Sequence, residues 1–374
     1  MRRARLLVVD DEPGMLRTVE RIAATVHEVV AARLPSLALG IARDWTFDIA
    51  VLDVRMPEMD GFALMARLQE IQPGLDVILM TGSTDERDER LVRAIKEKAF
   101  FFLTKPFDRE VLLTLIERCL EVRRLNEENR LHVERLEGEL EDARTFQDGL
   151  LPERSSRVGD LDVALHWEPS VELGGDFADY VPRGNGAALL IADVSGHGGA
   201  AAMLTGMVKL AFRAASAEDF APAAVFRQLR EASSSFPEGR FVSALSVRVD
   251  PDRGALEYAN AGHPAGVLVR PDGGLVRLES SVPFFYRGLD VPPIVERRLD
   301  FARGDRLVLV TDGVLESRDS GGGEFGVERL EQAVCGGRAL EAGALMRHVR
   351  AEIRTFAGGR PTADDLTLLV AAAR

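Results

Sequence analysis

Short apolar runs and amphipathic stretches alternate from residue 4 to about 120. RLLVV (5–9), FDIAVLDV (47–54), DVILMTG (76–82) and FFFLTK (100–105) are continuous enough to be strands buried on both faces, and helical patterns lie between them. That succession predicts a parallel sheet wound on both sides, the α/β doubly wound class.

The pattern then changes to a 3.5-residue repeat. From residue 108 there is no glycine before Gly138 and no proline before Pro152. Val122, Leu125, Asn129, Val133, Leu136, Leu140, Ala143, Phe146 and Leu150 recur at steps of three or four, with Glu and Arg filling the gaps. This predicts one long helix over 108–150. Its apolar stripe suits either a coiled-coil seam, which would make the chain a homodimer, or an amphipathic face packed on its own domain. Asn129 on a seam costs stability and fixes register.

From residue 160 the runs alternate as in antiparallel sheets. ALLIADVS (188–195), FVSALSVRVD (241–250), ALEYANAG (255–262), GVLVRPDGGLVRL (266–278), DRLVLVTDG (305–313) and LTLLVAA (366–372) read as strands. PDRG and PDGG supply hairpin turns. Helical stretches near 199–215, 222–235 and 340–357 complete an α+β pattern.

Composition narrows the function. A net charge of −13 without a basic patch disfavours nucleic acid and anionic lipid. No basic helix-turn-helix unit follows the first domain, so a DNA-binding regulator is a poor fit. No stretch reaches the roughly 18 apolar residues of a membrane span, and the N-terminal apolar run is too short for a signal peptide. Two cysteines without metal spacing fit a reducing cytoplasm. Cys119 reads as a helix-packing residue.

The first chemistry gathers at strand ends. Asp10 and Asp11 follow the first strand, Asp53 ends another, and Thr81 and Lys105 end two more. Ligands of open parallel sheets collect at carboxyl ends. Three carboxylates there repel unless a cation shares them, and a hard divalent ion such as Mg²⁺ fits oxygen donors. One carboxylate is then placed to accept a phosphoryl group. Over these residues VVDDE, LDVRMPEMDG, MTGS and FFFLTKPF resemble the response-regulator receiver family. The resemblance implies phosphoryl transfer from a sensor histidine kinase to Asp53. It implies Mg²⁺ on Asp10, Asp11, Asp53 and the backbone carbonyl of Arg55, phosphoryl contacts from Thr81 and Lys105, and an aromatic switch at Phe102. Lys98 departs from the glycine frequent in the family.

A second acidic set lies in the other half. LGGDFAD (173–179), IADVSGHG (191–198), LVTDGV (309–314) and GRPTADDLTLL (359–369) bring Asp176, Asp193, Asp312, Asp364 and Asp365 to strand edges beside small residues. Glycine permits close approach to the backbone. Ser195 lacks the G-x-S-x-G elbow of a serine nucleophile, whereas a two-metal site uses the separated aspartates together. FQDGLLPE, LGGDFAD, DVSGHGGAAAM, YANAGHP, GDRLVLVTDGVLES, EFGVERL and DDLTLLV resemble the metal-dependent (PPM-type) serine/threonine phosphatases of the SpoIIE-like branch.

That resemblance implies two Mn²⁺ or Mg²⁺ ions bridged by Asp193. Asp176, the carbonyl of Val194, Asp312 and Asp364 are the other implied ligands, with Asp179 and Asp365 as further candidates. His197 is either a proton donor to the leaving oxygen or a structural histidine on a glycine turn. His263 shapes a turn or a substrate edge. SVPFFYRGLD (281–290) and Ala178 depart from the family pattern without removing a ligand.

The expected organisation is a receiver over 1–120, a helical coiled-coil linker over 121–152 and a phosphatase with a β-sandwich core over 153–374. Phosphorylation at Asp53 would control dephosphorylation of a protein, by resemblance an anti-sigma-factor antagonist (STAS) domain. The competing reading is a catalytically silent, phosphorylation-switched binding module of a partner-switching pathway.

Overall fold

The structure is a computed structural model that describes residues 3–82, 101–196, 198–289, 292–360 and 362–374. The chain forms two compact units, Met1–Arg135 and Leu136–Arg374.

In the first unit the apolar runs form β1 (Arg5–Val9), β2 (Glu28–Ala32), β3 (Ile49–Asp53), β4 (Asp76–Thr81) and β5 (Phe101–Thr104). They pair in parallel in the order β2-β1-β3-β4-β5. Side chains alternate across this sheet, so each face has its own core. Leu7, Val9, Ala50 and Leu52 pack on one side with Phe62, Leu64 and Met65. Leu6, Val8, Val51 and Ile78 pack on the other with Leu16, Val19, Leu112, Ile116 and Cys119. The doubly wound fold is therefore present, and Cys119 is a fully buried packing residue.

Helices α1 (Pro13–Ala23) and α2 (Pro35–Asp44) each begin on proline, whose missing N–H costs nothing at a helix start. Asp60 caps α3 (Gly61–Ile71) by accepting from Ala63 N at 2.8 Å. A Cβ on Gly61 would strike the Asp53 carbonyl oxygen, so only glycine lets α3 close onto that strand end. Strand β2 was not foreseen: its run HEVVAA opens on polar residues and is only partly buried. Lys98 lies outside the described residues.

The long helix is α4 (Arg109–Leu150), 42 residues without a break. Its first turns pack through Leu112, Ile116 and Cys119. Residues 124–142 are all exposed. Leu125, Val133, Leu136 and Leu140 are 49, 44, 58 and 41 % accessible, so the middle of the predicted stripe is not packed against its own unit.

The second unit is a sandwich of two six-stranded sheets with helices outside both. One sheet contains β8 (Asp176–Arg183), β9 (Gly186–Val194), β10 (Phe241–Asp250), β11 (Ala255–Ala261), β14 (Phe285–Tyr286) and β15 (Arg297–Asp300). The other contains β6 (Ser155–Val158), β7 (Leu161–Glu168), β12 (Gly266–Val269), β13 (Leu275–Leu278), β16 (Arg306–Val310) and β17 (Leu366–Ala373). Leu189, Ile191, Leu245, Leu307, Leu309 and Leu369 fill the space between the sheets. Helices α5 (Gly199–Ala214) and α6 (Pro222–Ser233) cover the first sheet through Val208, Phe212, Phe226 and Leu229. Helices α8 (Gly326–Gly336) and α9 (Ala342–Phe356) cover the second through Leu330, Leu345 and Val349. A single helical turn, α7 (Asp312–Leu315), follows β16. The departing segment 281–290 contributes β14, which pairs Phe285 with Val242 at the start of β10. Among the described residues no helix is long and apolar enough to cross a membrane.

Candidate functional site

In the first unit Lys105 reaches two strand ends at once. Its Nζ lies 2.6 Å from Asp10 Oδ2 and 2.6 Å from Asp53 Oδ1. Burial opposes the charge on Lys105, but the hydrogen bonds to Asp10 and Asp53 outweigh it and raise its pKa. Burial pushes the Asp10 carboxyl up, while Lys105 and the Glu12 N–H pull it down. Asp53 Oδ2 accepts from Arg55 N at 3.0 Å, which brings that peptide beside the carboxylate. Asp11 follows directly and is half-buried. Thr81 is buried, and its hydroxyl has no hydrogen-bond partner among the described residues. Phe102 is half-buried against the core, with its ring 6.2 Å from that of Phe62. The sequence-derived set Asp10, Asp53, Arg55, Thr81 and Lys105 therefore meets at the carboxyl ends of β1, β3, β4 and β5.

In the second unit the inner face of the sandwich changes from apolar to polar at one end. Along β9 the inward positions run Leu189, Ile191, Asp193; along β8 they run Tyr180, Ala178, Asp176. From the facing sheet come Leu307, Leu309 and Thr311, and Ala371, Leu369 and Thr367. Asp176 and Asp193 are direct cross-strand partners. Asp176 is 2 % exposed, and its Oδ2 accepts from Thr311 Oγ1 at 2.7 Å and Thr367 Oγ1 at 2.6 Å. Burial and then Asp193 push its pKa well above the usual carboxylate range, against the two hydroxyls.

Asp193 is half-buried, and its pKa is raised to about 7 by burial and by Asp312, Asp364 and Asp365. Asp312, the first residue of α7, is raised by burial, by Asp364 and by Glu316. Among the described residues no Lys or Arg offsets Asp176, Asp193 or Asp312. These groups are near neighbours rather than a closed cage: no three His, Cys, Asp or Glu side chains among the described residues form a ready metal cluster. Their chemistry is nonetheless that of hard-cation donors: partly buried carboxyls in which Asp193 raises the pKa of Asp176 and Asp312 raises that of Asp193.

The remaining candidates separate by geometry. Asp365 is buried and fully engaged. Its Oδ1 accepts from Ser170 N at 2.8 Å and Ser170 Oγ at 3.1 Å, and its Oδ2 accepts from Gly175 N at 2.6 Å and Asp176 N at 3.4 Å. It holds the loop before β8 in place, and Asp364 Oδ1 in turn accepts from Asp365 N at 2.8 Å. Cβ atoms on Gly175 and Gly313 would strike the carbonyl oxygens of Val194 and Asp365, so both glycines are needed for these loops to close.

Asp179 does not join the cluster. Three residues from Asp176 along a strand, it faces the helices and pairs with Arg213 at 2.9 Å through both of its oxygens. Ser195 Oγ accepts from Phe241 N at 2.9 Å, an engagement unlike that of a poised nucleophile. His263 is buried, bonds Ser243 Oγ at 2.8 Å through Nδ1, and is kept neutral by burial, which drives its pKa to about 3. Its backbone N–H bonds Asn260 Oδ1, so it belongs to the turn after β11. His197 lies outside the described residues. Sequence reasoning missed Thr311, Thr367 and Ser170; a threonine directly after the apolar run of β16 and another inside that of β17 were the available signal.

Two family profiles match the chain: "Stage II sporulation protein E (SpoIIE)" over residues 183–374 and "Response regulator receiver domain" over 6–117. The solved SiaA-PP2C domain of Pseudomonas aeruginosa is 24 % identical, covers 65 % of this chain and 98 % of its own, and superposes with a TM-score of 0.58. The likeness is one of fold. The Escherichia coli (strain K12) transcriptional regulatory protein GlrR is 38 % identical over 119 residues, 32 % of this chain and 26 % of that protein. The DNA-binding transcriptional regulator NtrC of the same organism is 36 % identical over 126 residues, 32 % of this chain and 25 % of that protein. The chain thus spans about a quarter of the length of these curated relatives.

Proposed function

The chain belongs to the SpoIIE family of metal-dependent protein phosphatases and carries a receiver domain; from that premise we propose that phosphorylation of Asp53 controls a two-metal serine/threonine phosphoprotein phosphatase. The observation that carries the reading is the convergence of Asp176, Asp193, Asp312 and Asp364 at one end of the sandwich, with the Asp193 pKa raised to about 7 by burial and by Asp312, Asp364 and Asp365.

In this reading Asp176, Asp193, Asp312, Asp364 and the Val194 carbonyl would hold two divalent cations, Mn²⁺ or Mg²⁺. Such ions neutralise phosphoryl charge and acidify a bound water. The chain's own residues set the geometry. Thr311 and Thr367 fix one oxygen of Asp176 and leave the other as the donor atom. Asp365 ties Ser170, Gly175 and Asp176 together, so that β8 and the start of β17 hold a common position. The leaving serine or threonine oxygen needs a proton, and His197 is the candidate donor.

In the receiver, Asp53 is the phosphoacceptor, and Asp10, Asp11, Asp53 and the Arg55 carbonyl would hold Mg²⁺. Lys105 holds Asp10 and Asp53 together, and the Thr81 hydroxyl, without a hydrogen-bond partner among the described residues, is suited to a phosphoryl oxygen. A phosphodonor kinase and a phosphoprotein substrate follow from these two activities; a sensor histidine kinase and a STAS-type anti-sigma-factor antagonist are the partners we propose, in the cytoplasm. The division is receiver 1–120, linker 121–152 and phosphatase 153–374. The exposed stripe Leu125, Val133, Leu136 and Leu140 supports dimerisation through the helix, where burial on a second copy would remove apolar surface from water.

The test is Mn²⁺-dependent release of phosphate from para-nitrophenyl phosphate and from phosphorylated STAS proteins. Wild type should turn over and Asp193→Ala should lose at least about a hundredfold. Equal rates in the two proteins would refute the assignment.

A further inference from the structure

The acidic end of the sandwich has an aromatic rim. Along β10 the odd-numbered residues face the space between the sheets: Leu245 lies in that core, and Ser243 is the cross-strand partner of Asp193. Phe241 is the next residue on that face, two positions nearer the open end, and it is half-buried. On its other side β14 brings Tyr286 directly opposite Phe241. Phe284, two residues back along β14, packs its ring on that of Phe241 with centroids 4.6 Å apart and is 39 % exposed. The intervening Phe285 and its partner Val242 point the other way, into the core beneath the helices. Neighbouring strands lie about 4.8 Å apart, so the rings begin one to two strand steps, about 5–10 Å, from Asp193.

The rim is held in place from below. Ser281 N and Val282 N both donate to the Asn260 carbonyl, at 3.0 and 3.3 Å. Phe285 is fully buried, in an edge-to-face contact with Phe226. Gly262, at φ +61°, lets the segment lie close, because a Cβ there would come within 2.9 Å of Phe284 N. Phe284 nevertheless leaves apolar surface in water beside a polar site. Arg240 and Arg287 stand one position beyond the Phe241–Tyr286 pair, and neither has a carboxylate partner among the described residues. Arg240 donates to the Ser195 carbonyl, in the turn after Asp193. In a chain of net charge −13, two such cations beside the aspartates suit an anionic ligand.

We propose that the Phe241–Phe284 pair is a substrate ledge: it receives an apolar side chain two or three residues from the phosphoserine or phosphothreonine of a protein substrate, and Phe284 sets that preference. The inference rests on the phosphatase reading above and names the substrate feature that site selects. Geometry and charge commit the ledge to a phosphorylated polypeptide. It continues the face that carries Asp193, so a chain whose phosphoryl group reaches the aspartates lies across it. An extended peptide advances about 3.3 Å per residue, so about 5–10 Å spans two or three residues. The flanking arginines match the negative charge of such a segment. A small phosphate ester would engage the aspartates and leave the ledge bare.

The experiment uses fluorescein-labelled peptides carrying the non-hydrolysable phosphonate analogue of phosphoserine, with either leucine or serine two residues before and two residues after it. Binding to the full chain in Mn²⁺ is read by fluorescence anisotropy, and Mn²⁺ affinity by calorimetry. Wild type should bind the leucine peptide about tenfold or more tightly than the serine peptide. Phe284→Ala should cut that ratio to about threefold or less by weakening the leucine peptide alone, with Mn²⁺ affinity within about threefold of wild type. Phe284→Leu, which keeps an apolar surface, should retain most of the preference. Wild type that binds the two peptides alike, or binds neither, overturns the proposal. So does a preference that survives in Phe284→Ala, or a loss of Mn²⁺ affinity in that variant, since the ring would then be a structural support of the site. Failure of the phosphatase reading looks different: leucine-selective binding by a wild type that releases no phosphate from the matching phosphoserine peptides in Mn²⁺.

Discussion

Asp176 and Asp179 stand in one short motif, and replacing them should have opposite consequences. Asp179 is fully buried, accepts twice from Arg213 and stands 3.9 Å from Lys209. Burial raises its pKa, and the two cations work against that rise. Removing one partner of a buried pair costs about 3–5 kcal/mol; because the Arg213 side chain is 42 % exposed and can rehydrate, the low end, about 3 kcal/mol, applies to Asp179→Ala. For a unit of this size each kcal/mol moves the melting midpoint by about 2–4 °C, so a fall of about 6–12 °C is expected. Thermal unfolding followed by circular dichroism in EDTA reads this directly, and a Mn²⁺ titration of the same variant reads the site. Mn²⁺ affinity should stay within about threefold of wild type, since Asp179 faces the helices and not the acidic end. A melting midpoint within about 2 °C of wild type together with a tenfold loss of Mn²⁺ affinity would refute the reasoning and restore Asp179 as a ligand.

Three further outcomes follow from the same geometry. Asp193 has its pKa raised to about 7, so a cation must displace its proton at lower pH; Mn²⁺ affinity should fall up to about tenfold per pH unit below 7 and level off above, checked by calorimetry at pH 6, 7 and 8, and a flat profile contradicts it. The same raised pKa makes the metal-free fold less stable as pH rises from the unfolded carboxylate value towards 7, so its melting midpoint in EDTA should drop over that window. Thr367→Val removes one of two hydroxyls fixing Asp176 and should weaken Mn²⁺ binding about tenfold, whereas an unchanged affinity would show Thr311 to be sufficient. Leu136→Glu on the exposed stripe should shift a dimer to monomer in sedimentation equilibrium; wild type already monomeric at high concentration would remove the seam from the account.

The sequence disclosed most where one physical constraint dominated. Runs such as RLLVV and IAVLD are buried on both faces and cannot be mistaken for loops. Strands with mixed burial escaped: β2 is half-exposed, β8 carries two aspartates and a proline, and β15 is an exposed edge. In the site, aspartates at strand edges were legible because several carboxylates at separate strand ends, with too few basic residues to neutralise them, call for a cation. What they face was not read off, although counting by twos along DFADYVPR separates Asp176 from Asp179. The partners that fix the carboxylates, Thr311, Thr367 and Ser170, come from distant segments, and only the fold brings them together.

The central claim is that the phosphorylation state of Asp53 sets the rate of a metal-dependent phosphatase in the same chain. The direct measurement is initial-rate hydrolysis of a phosphoserine protein by the full chain in Mn²⁺, with and without beryllofluoride, in wild type and Asp53→Asn. A coupling of about 1–3 kcal/mol predicts wild-type rates differing by about 5- to 150-fold between the two conditions, and no difference in Asp53→Asn. Wild-type turnover indifferent to beryllofluoride, or a response that persists in Asp53→Asn, would contradict it.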